Sequence, residues 1–120
     1  MNEIIKVKTF DLEERTAKFT ADVIAFINVC PKTIVNLELT KQLIRSAGSV
    51  GAKSIEANES LSRKDFGMRV KIYRKEAKES RYWLRLVEGN GEEFEKQKLI
   101  LINESTELLK IFSSIVEKSQ

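Results

Sequence analysis

A chain of 120 residues with a net charge of +3, 42% hydrophobic and 32% charged, has the size of one domain and the composition of a soluble globular protein rather than a disordered tail. At this length roughly 65% of the unfolded surface can be buried, so no metal or disulfide staple is required. The chain has no His, the commonest catalytic base and metal ligand, one Cys, which fits a reducing cytoplasm, and no apolar run of about 18 uncharged residues to span a membrane.

Five Gly and one Pro leave few breakers. The first is the segment Met1 to Phe10, which alternates charge with Ile and Val and lacks the apolar run of a signal peptide. The others are Cys30-Pro31-Lys32-Thr33, the stretch from Ser60 to Lys64, and Gly89-Asn90-Gly91. Between them apolar residues recur at spacings of four and three, the mark of amphipathic helices in a bundle.

The first seam reads Leu12, Thr16, Phe19, Val23, Phe26, Cys30. It predicts a helix over about 11–30, opened by the capping-box pair Asp11 and Glu14 and closed where Pro31 disfavours helix. The second, over about 34–61, reads Leu43, Ala47, Val50, Ser54, Ala57, Leu61. Gly48 and Gly51 lie on its flank beside Leu37, Ile44 and Ile55, which suggests either a tight contact inside the bundle or a subunit interface. The third, over about 63–88, reads Phe66, Val70, Tyr73, Ala77, Ser80, Leu84, Val87. Ser62 and Asp65 cap it, Leu61 and Phe66 have staple spacing, and Gly89 can supply a left-handed terminus. The fourth, over about 91–117, reads Phe94, Lys98, Leu101, Ser105, Leu108, Phe112, Ile115. Asn90 is its expected cap, and Glu92, Glu93 and Glu95 favour its first turn through the helix dipole. The predicted fold is a single-domain, all-α, antiparallel up-down-up-down four-helix bundle.

Charge is concentrated in the third helix. Residues 63–88 hold nine basic and four acidic side chains, a balance of +5. Lys64, Lys71, Arg74, Lys75, Lys78, Arg81 and Arg85 fall within an arc of roughly 120° at helical spacing. Lys71 with Lys75, Arg74 with Lys78 and Arg81 with Arg85 are like-charge pairs at i,i+4, each costing a few tenths of a kcal/mol. Such a stripe fits a phosphate backbone, with Tyr82 at its edge as a stacking surface. The alternative is that acidic faces of helices one and four, in the same bundle or a neighbour, supply the counter-charge. The other flank, Arg69, Ile72, Glu76, Glu79, Trp83 and Leu86, has the mixed composition of a protein interface. Arg45 is expected to pair with Glu56 or Glu76 as structural polarity. Cys30, without a second Cys, reads as a buried helix-end residue.

The only candidates for catalysis are paired carboxylates, Glu56/Glu59 and Glu76/Glu79, of the type with which all-α Mg-dependent nucleotide pyrophosphohydrolases hold metal. The same spacing recurs at Glu92/Glu95 and Glu104/Glu107, so it follows from composition, and all four lie off the seams. No phosphate loop and no nucleophile–base pair is present. The expectation is a chain with no catalytic residues, metal, cofactor or small-molecule substrate.

Several segments in order resemble the four-helix-bundle proteins also known as 23S rRNA intervening-sequence proteins. They are Phe10–Phe19 with Val23, Ile24, Phe26 and Pro31-Lys32-Thr33, then Gln42–Ser46, Ser49–Ala52 and Glu56-Ala57, then Ser62–Phe66, Lys75-Glu76-Ala77, Glu79 and Trp83-Leu84. Lys53 departs from the amide expected there. The resemblance implies a small antiparallel bundle that assembles as a homopentamer and has no established enzymatic activity; the cysteine usage adds the expectation that it is cytoplasmic. It also implies a nucleic-acid role, because some relatives are encoded within insertions in ribosomal RNA genes and a distant basic branch assists reverse transcriptases. The leading expectation is an oligomer binding RNA or DNA through Lys71, Arg74, Lys75, Lys78, Arg81 and Arg85. The rival is a protein scaffold that binds no nucleic acid.

Overall fold

The structure, a computed structural model, describes the backbone of residues 2–120 and the side chains of residues 12–120. Four helices follow one another: α1 Asn2–Val29, α2 Ile34–Ala57, α3 Arg63–Leu86 and α4 Glu92–Lys118. At about 1.5 Å per residue, helices of 24 to 28 residues run about 36–42 Å, which sets the 46 Å long axis of the molecule. Short links make sequence neighbours antiparallel, and contacts run α1–α2, α2–α3, α3–α4 and, most thinly, α4–α1.

The predicted seams meet in the core. Leu12, Phe19, Val23 and Phe26 of α1 bury against Leu43, Ala47 and Val50 of α2, with Val70, Tyr73, Ala77 and Leu84 of α3 and Leu101, Leu108 and Phe112 of α4 closing it. Each large side chain fully buried here contributes about 1.5–3 kcal/mol. The α2–α3 contact is close because its residues are small. Ser46 and Ser80 place their hydroxyls 2.8 Å apart, so that one donates to the other, which in turn donates to a carbonyl of its own helix. Thr20 Oγ1 of α1 donates to the Ala47 carbonyl of α2 at 2.8 Å. Across the α2–α3 pair the partners march in antiparallel register: Asn36 with Glu88, Arg45 with Glu79, Ser46 with Ser80, and Arg69 with the Glu56 carbonyl.

Several local expectations need correction. α1 begins at Asn2 rather than near Asp11, since no Gly or Pro interrupts the first ten residues; Asp11 is inside the helix and its side chain lies outside the described ones. α2 stops at Ala57 because residues 58–60 wind into tight i→i−3 bonds, leaving Leu61 95% exposed and unable to staple Phe66. Ser62 does cap α3, accepting the Asp65 N–H at 3.0 Å, while Asp65 Oδ2 accepts the Leu61 N–H. α3 ends at Leu86, where Val87 turns extended and buries; Gly89 has no positive φ. A Cβ on Gly89 would lie 2.6 Å from the Phe94 ring, so this glycine answers a close approach instead. Gly91, at φ 99°, not Asn90, starts α4, and no side chain caps it. Lys98 on the fourth seam escapes burial by donating to the Val87 carbonyl at 2.8 Å, and Val116 buries in preference to Ile115.

The glycines of α2 do not mark a tight internal contact. A Cβ on Gly51 would meet Thr20 at an ordinary 3.6 Å, and one on Gly48 would meet nothing within 4 Å. Gly48 instead lies on an outward arc with Leu37, Ile44 and Ile55, all exposed.

Candidate nucleic-acid interface

The rotational phase of α3 is set from inside. Its seam buries Phe66, Val70, Ala77 and Leu84, and Tyr73 packs edge-on against Phe112 of α4 at 4.6 Å between centroids and 84° between planes. Burial pushes the Tyr73 phenol well above its ordinary range, so the hydroxyl stays neutral. With the seam turned inward, residues three and four positions away fall on the flank that faces α4.

On that flank the structure gathers Lys71, Arg74, Lys75, Lys78 and Arg81 along one wall of a groove of about 870 Å³. The opposite wall belongs to α4 and comprises Thr106, Leu109, Lys110, Ser113, Ser114 and Glu117. Five of the six basic residues assigned from the sequence therefore share one site. Arg85 is exposed but does not line it. The five span eleven residues of helix, a rise of about 15 Å.

The groove holds six basic side chains and one carboxylate. Among the described residues none of Lys71, Arg74, Lys75, Lys78, Arg81 or Arg85 has a carboxylate within 4 Å. Two acidic residues of α4 near the stripe turn elsewhere. Glu104 binds Arg15 of α1 through two 2.8 Å hydrogen bonds, and Glu107 pairs with Lys110 at 3.3 Å. Only Glu117 stands on the groove wall. Arg81 Nη1 reaches Thr106 Oγ1 at 3.4 Å, a weak neutral contact that leaves its charge unpaired. Repulsion between stacked cations thus remains uncompensated within the described chain.

Depth separates the cations. Lys71, Lys75 and Lys78 are exposed on the rim, while Arg74 and Arg81 are half-buried between the helices. Tyr82, one turn beyond Lys78, is 55% exposed and held edge-on by Trp83 at 4.9 Å and 71°.

The other flank of α3 faces α2. Arg45 reaches Glu79 at 3.2 Å and Glu76 at 3.6 Å. Of the two partners expected for Arg45, Glu76 is met and Glu56 is not: eleven residues along one helix separate Arg45 from Glu56 by about 16 Å. Glu56 contributes its carbonyl instead, accepting from Arg69, which also pairs with Asp65. Arg69, Glu76 and Glu79 are therefore engaged inside the chain, whereas Ile72 and Leu86 remain exposed and Trp83 half-buried. Among the described residues no three acidic or cysteine side chains converge as metal ligands, and no helix is long and apolar enough to cross a membrane.

Periodicity did not reveal Asn36, which sits 2% exposed at the base of α2. Its side-chain amide donates to the carbonyls of Pro31 (2.9 Å) and Glu88 (2.7 Å) and accepts the Glu88 N–H (3.1 Å). It joins the α1–α2 and α3–α4 links and so fixes the end of α3 that carries Arg81 and Arg85. The only available signal was its polarity three residues after Thr33, whose hydroxyl caps α2 by accepting the Asn36 N–H.

Comparison with known proteins bears on the same architecture. No curated protein matches the chain. Among solved structures, a protein of unknown function from the S23 ribosomal protein family of Bacteroides thetaiotaomicron superposes with a TM-score of 0.72 at 30% identity, covering 88% of this chain and 97% of that one. The family model described as "23S rRNA-intervening sequence protein" matches residues 8–114, nearly the whole bundle, and the chain belongs to that family.

Proposed function

We propose that this protein is a non-enzymatic binding module that holds the phosphate backbone of RNA or DNA in the α3–α4 groove. The observation that carries the reading is the convergence of Lys71, Arg74, Lys75, Lys78 and Arg81 on one groove without carboxylate partners among the described residues. A row of cations with no donor–acceptor code recognises phosphates irrespective of base sequence. We also propose a cytoplasmic homo-oligomer, a pentamer by resemblance, to which the exposed Ile72 and Leu86 beside Trp83 contribute an interface.

The test is fluorescence anisotropy of labelled oligonucleotides at 50 and 200 mM salt. About five phosphate contacts predict a log–log slope near −3.5 for a single strand, an affinity loss of about 100-fold over that range. Replacing Arg74, Lys78 and Arg81 together with Gln should weaken binding and flatten the slope by about 2. Unchanged affinity in the triple variant refutes the site. Loss of assembly without any nucleic-acid binding by the parent supports the scaffold reading instead.

A further inference from the structure

Resting on that reading, we infer that the groove takes a single strand of nucleic acid and excludes the duplex. Three features of the site lead there. The first is depth. A duplex is a stiff convex cylinder whose phosphates lie on its outside, so against a groove between two helices it rests on the rim. There it meets the exposed Lys71, Lys75 and Lys78 ahead of the half-buried Arg74 and Arg81, whose side chains line the groove between the helices. A single strand can lie along the open groove of about 870 Å³ between the helices and use all five.

The second is the chemistry of the opposite wall. Thr106, Ser113 and Ser114 offer neutral hydroxyls and Leu109 an apolar surface. Such groups suit sugars, base edges and ring faces, which a duplex keeps within its stack and a single strand leaves open. Glu117 lies level with the Lys71 end of the groove, because in the α3–α4 register Tyr73 meets Phe112 and Gly67 meets Ser119. A carboxylate at that end halts a phosphate track and accepts hydrogen bonds from exocyclic amines.

The third is Tyr82. Trp83 holds its ring edge-on, 55% of the residue is exposed, and it stands one turn from Lys78. A phosphate on Lys78 brings the neighbouring unpaired base within reach of this ring. Base–aromatic stacking tolerates any sequence, and its loss on alanine substitution weakens binding about 5- to 150-fold per base. A paired base has no free face to offer.

The experiment compares a labelled 12-nucleotide mixed-sequence strand with the same sequence as a blunt duplex, at 50 mM salt, on the full chain. The single strand should bind at least tenfold more tightly. Arg74→Gln with Arg81→Gln should weaken the single strand at least tenfold and the duplex less than threefold. Tyr82→Ala should weaken only the single strand, and Tyr82→Phe should restore it. Tyr82 is on the surface, so its variants leave the core intact. Duplex binding as tight as single-strand binding, or indifference of the single strand to Tyr82→Ala, overturns the inference and leaves the phosphate-binding reading standing. Failure of both nucleic acids to bind overturns the reading itself.

Discussion

Replacing Asn36 tests whether the two links at one end of the bundle are held by a single side chain. Asn36→Leu keeps the branched shape and heavy-atom count and removes three hydrogen bonds, leaving the Pro31 carbonyl and both backbone groups of Glu88 without their side-chain partner. At about 1 kcal/mol for each lost bond, the cost is about 3 kcal/mol. For a chain of this length, with roughly 4 °C per kcal/mol, the melting temperature should fall by about 12 °C. Asn36→Asp is the sharper variant. It retains an acceptor for the Glu88 N–H but sets a buried carboxylate against two carbonyl oxygens. Burial raises the pKa of such a carboxyl, so its penalty is present at pH 7 and relieved as pH falls through the raised value. The assay is thermal unfolding followed by circular dichroism at fixed protein concentration, because assembly makes melting concentration-dependent. A shift within about 3 °C for Asn36→Leu, or an Asp variant as stable at pH 7 as the parent, refutes the clamp.

Other expectations follow from particular contacts. Gly89→Ala forces a Cβ into the buried Phe94 ring, which itself packs on Phe26 at 5.2 Å, and should lower the urea midpoint by an equivalent of about 1–3 kcal/mol; Gly48→Ala, facing open space, should raise it by about 0.5–1 kcal/mol. The forked Arg15–Glu104 pair, whose hydrogen bond also raises the Arg15 pKa, joins α1 to α4 with the arginine 39% exposed. A double-mutant cycle should therefore give only about 0.5–1 kcal/mol, shrinking in 1 M salt. Burial pushes the Cys30 thiol pKa up and its Sγ lies 3.2 Å from the Phe26 carbonyl, so reaction with a thiol reagent at pH 8 should track opening of the fold. A pKa raised on folding gives stability that is complete below the unfolded value and lost as pH rises. Melting temperature should accordingly decline above about pH 8.5 through Cys30 and further above about pH 10 through Tyr73. A flat profile to pH 11 contradicts both assignments.

Much of the fold was legible because helices report themselves locally. A seam such as Phe66, Val70, Tyr73, Ala77 needs only the 3.6-residue period to declare which side is buried, and all of its members are. The basic stripe was legible for the same reason, since spacing on one helix is enough to put Lys71, Arg74 and Lys78 on one flank. Ends were less legible. Leu61 continued the period of α2 yet left the bundle, and Gly89 looked like a terminator while serving a ring contact, because termini depend on what the neighbouring helix presents.

What the sequence determined by itself was therefore what rotational spacing on one helix carries, the class of fold, most of the inward faces and the arc of charge, together with the Ser62 cap. What only the tertiary structure decided was pairing between helices. Antiparallel register placed Glu76 and Glu79, rather than Glu56, opposite Arg45. The turn of α4 set Thr106 and Ser113 across from Arg74 and Arg81, converting a stripe into a groove. The lie of two links brought Asn36 to Glu88 across 52 residues. The physical reason is that a helical period fixes angle about one axis, whereas register and depth arise when side-chain volumes of two helices are fitted together.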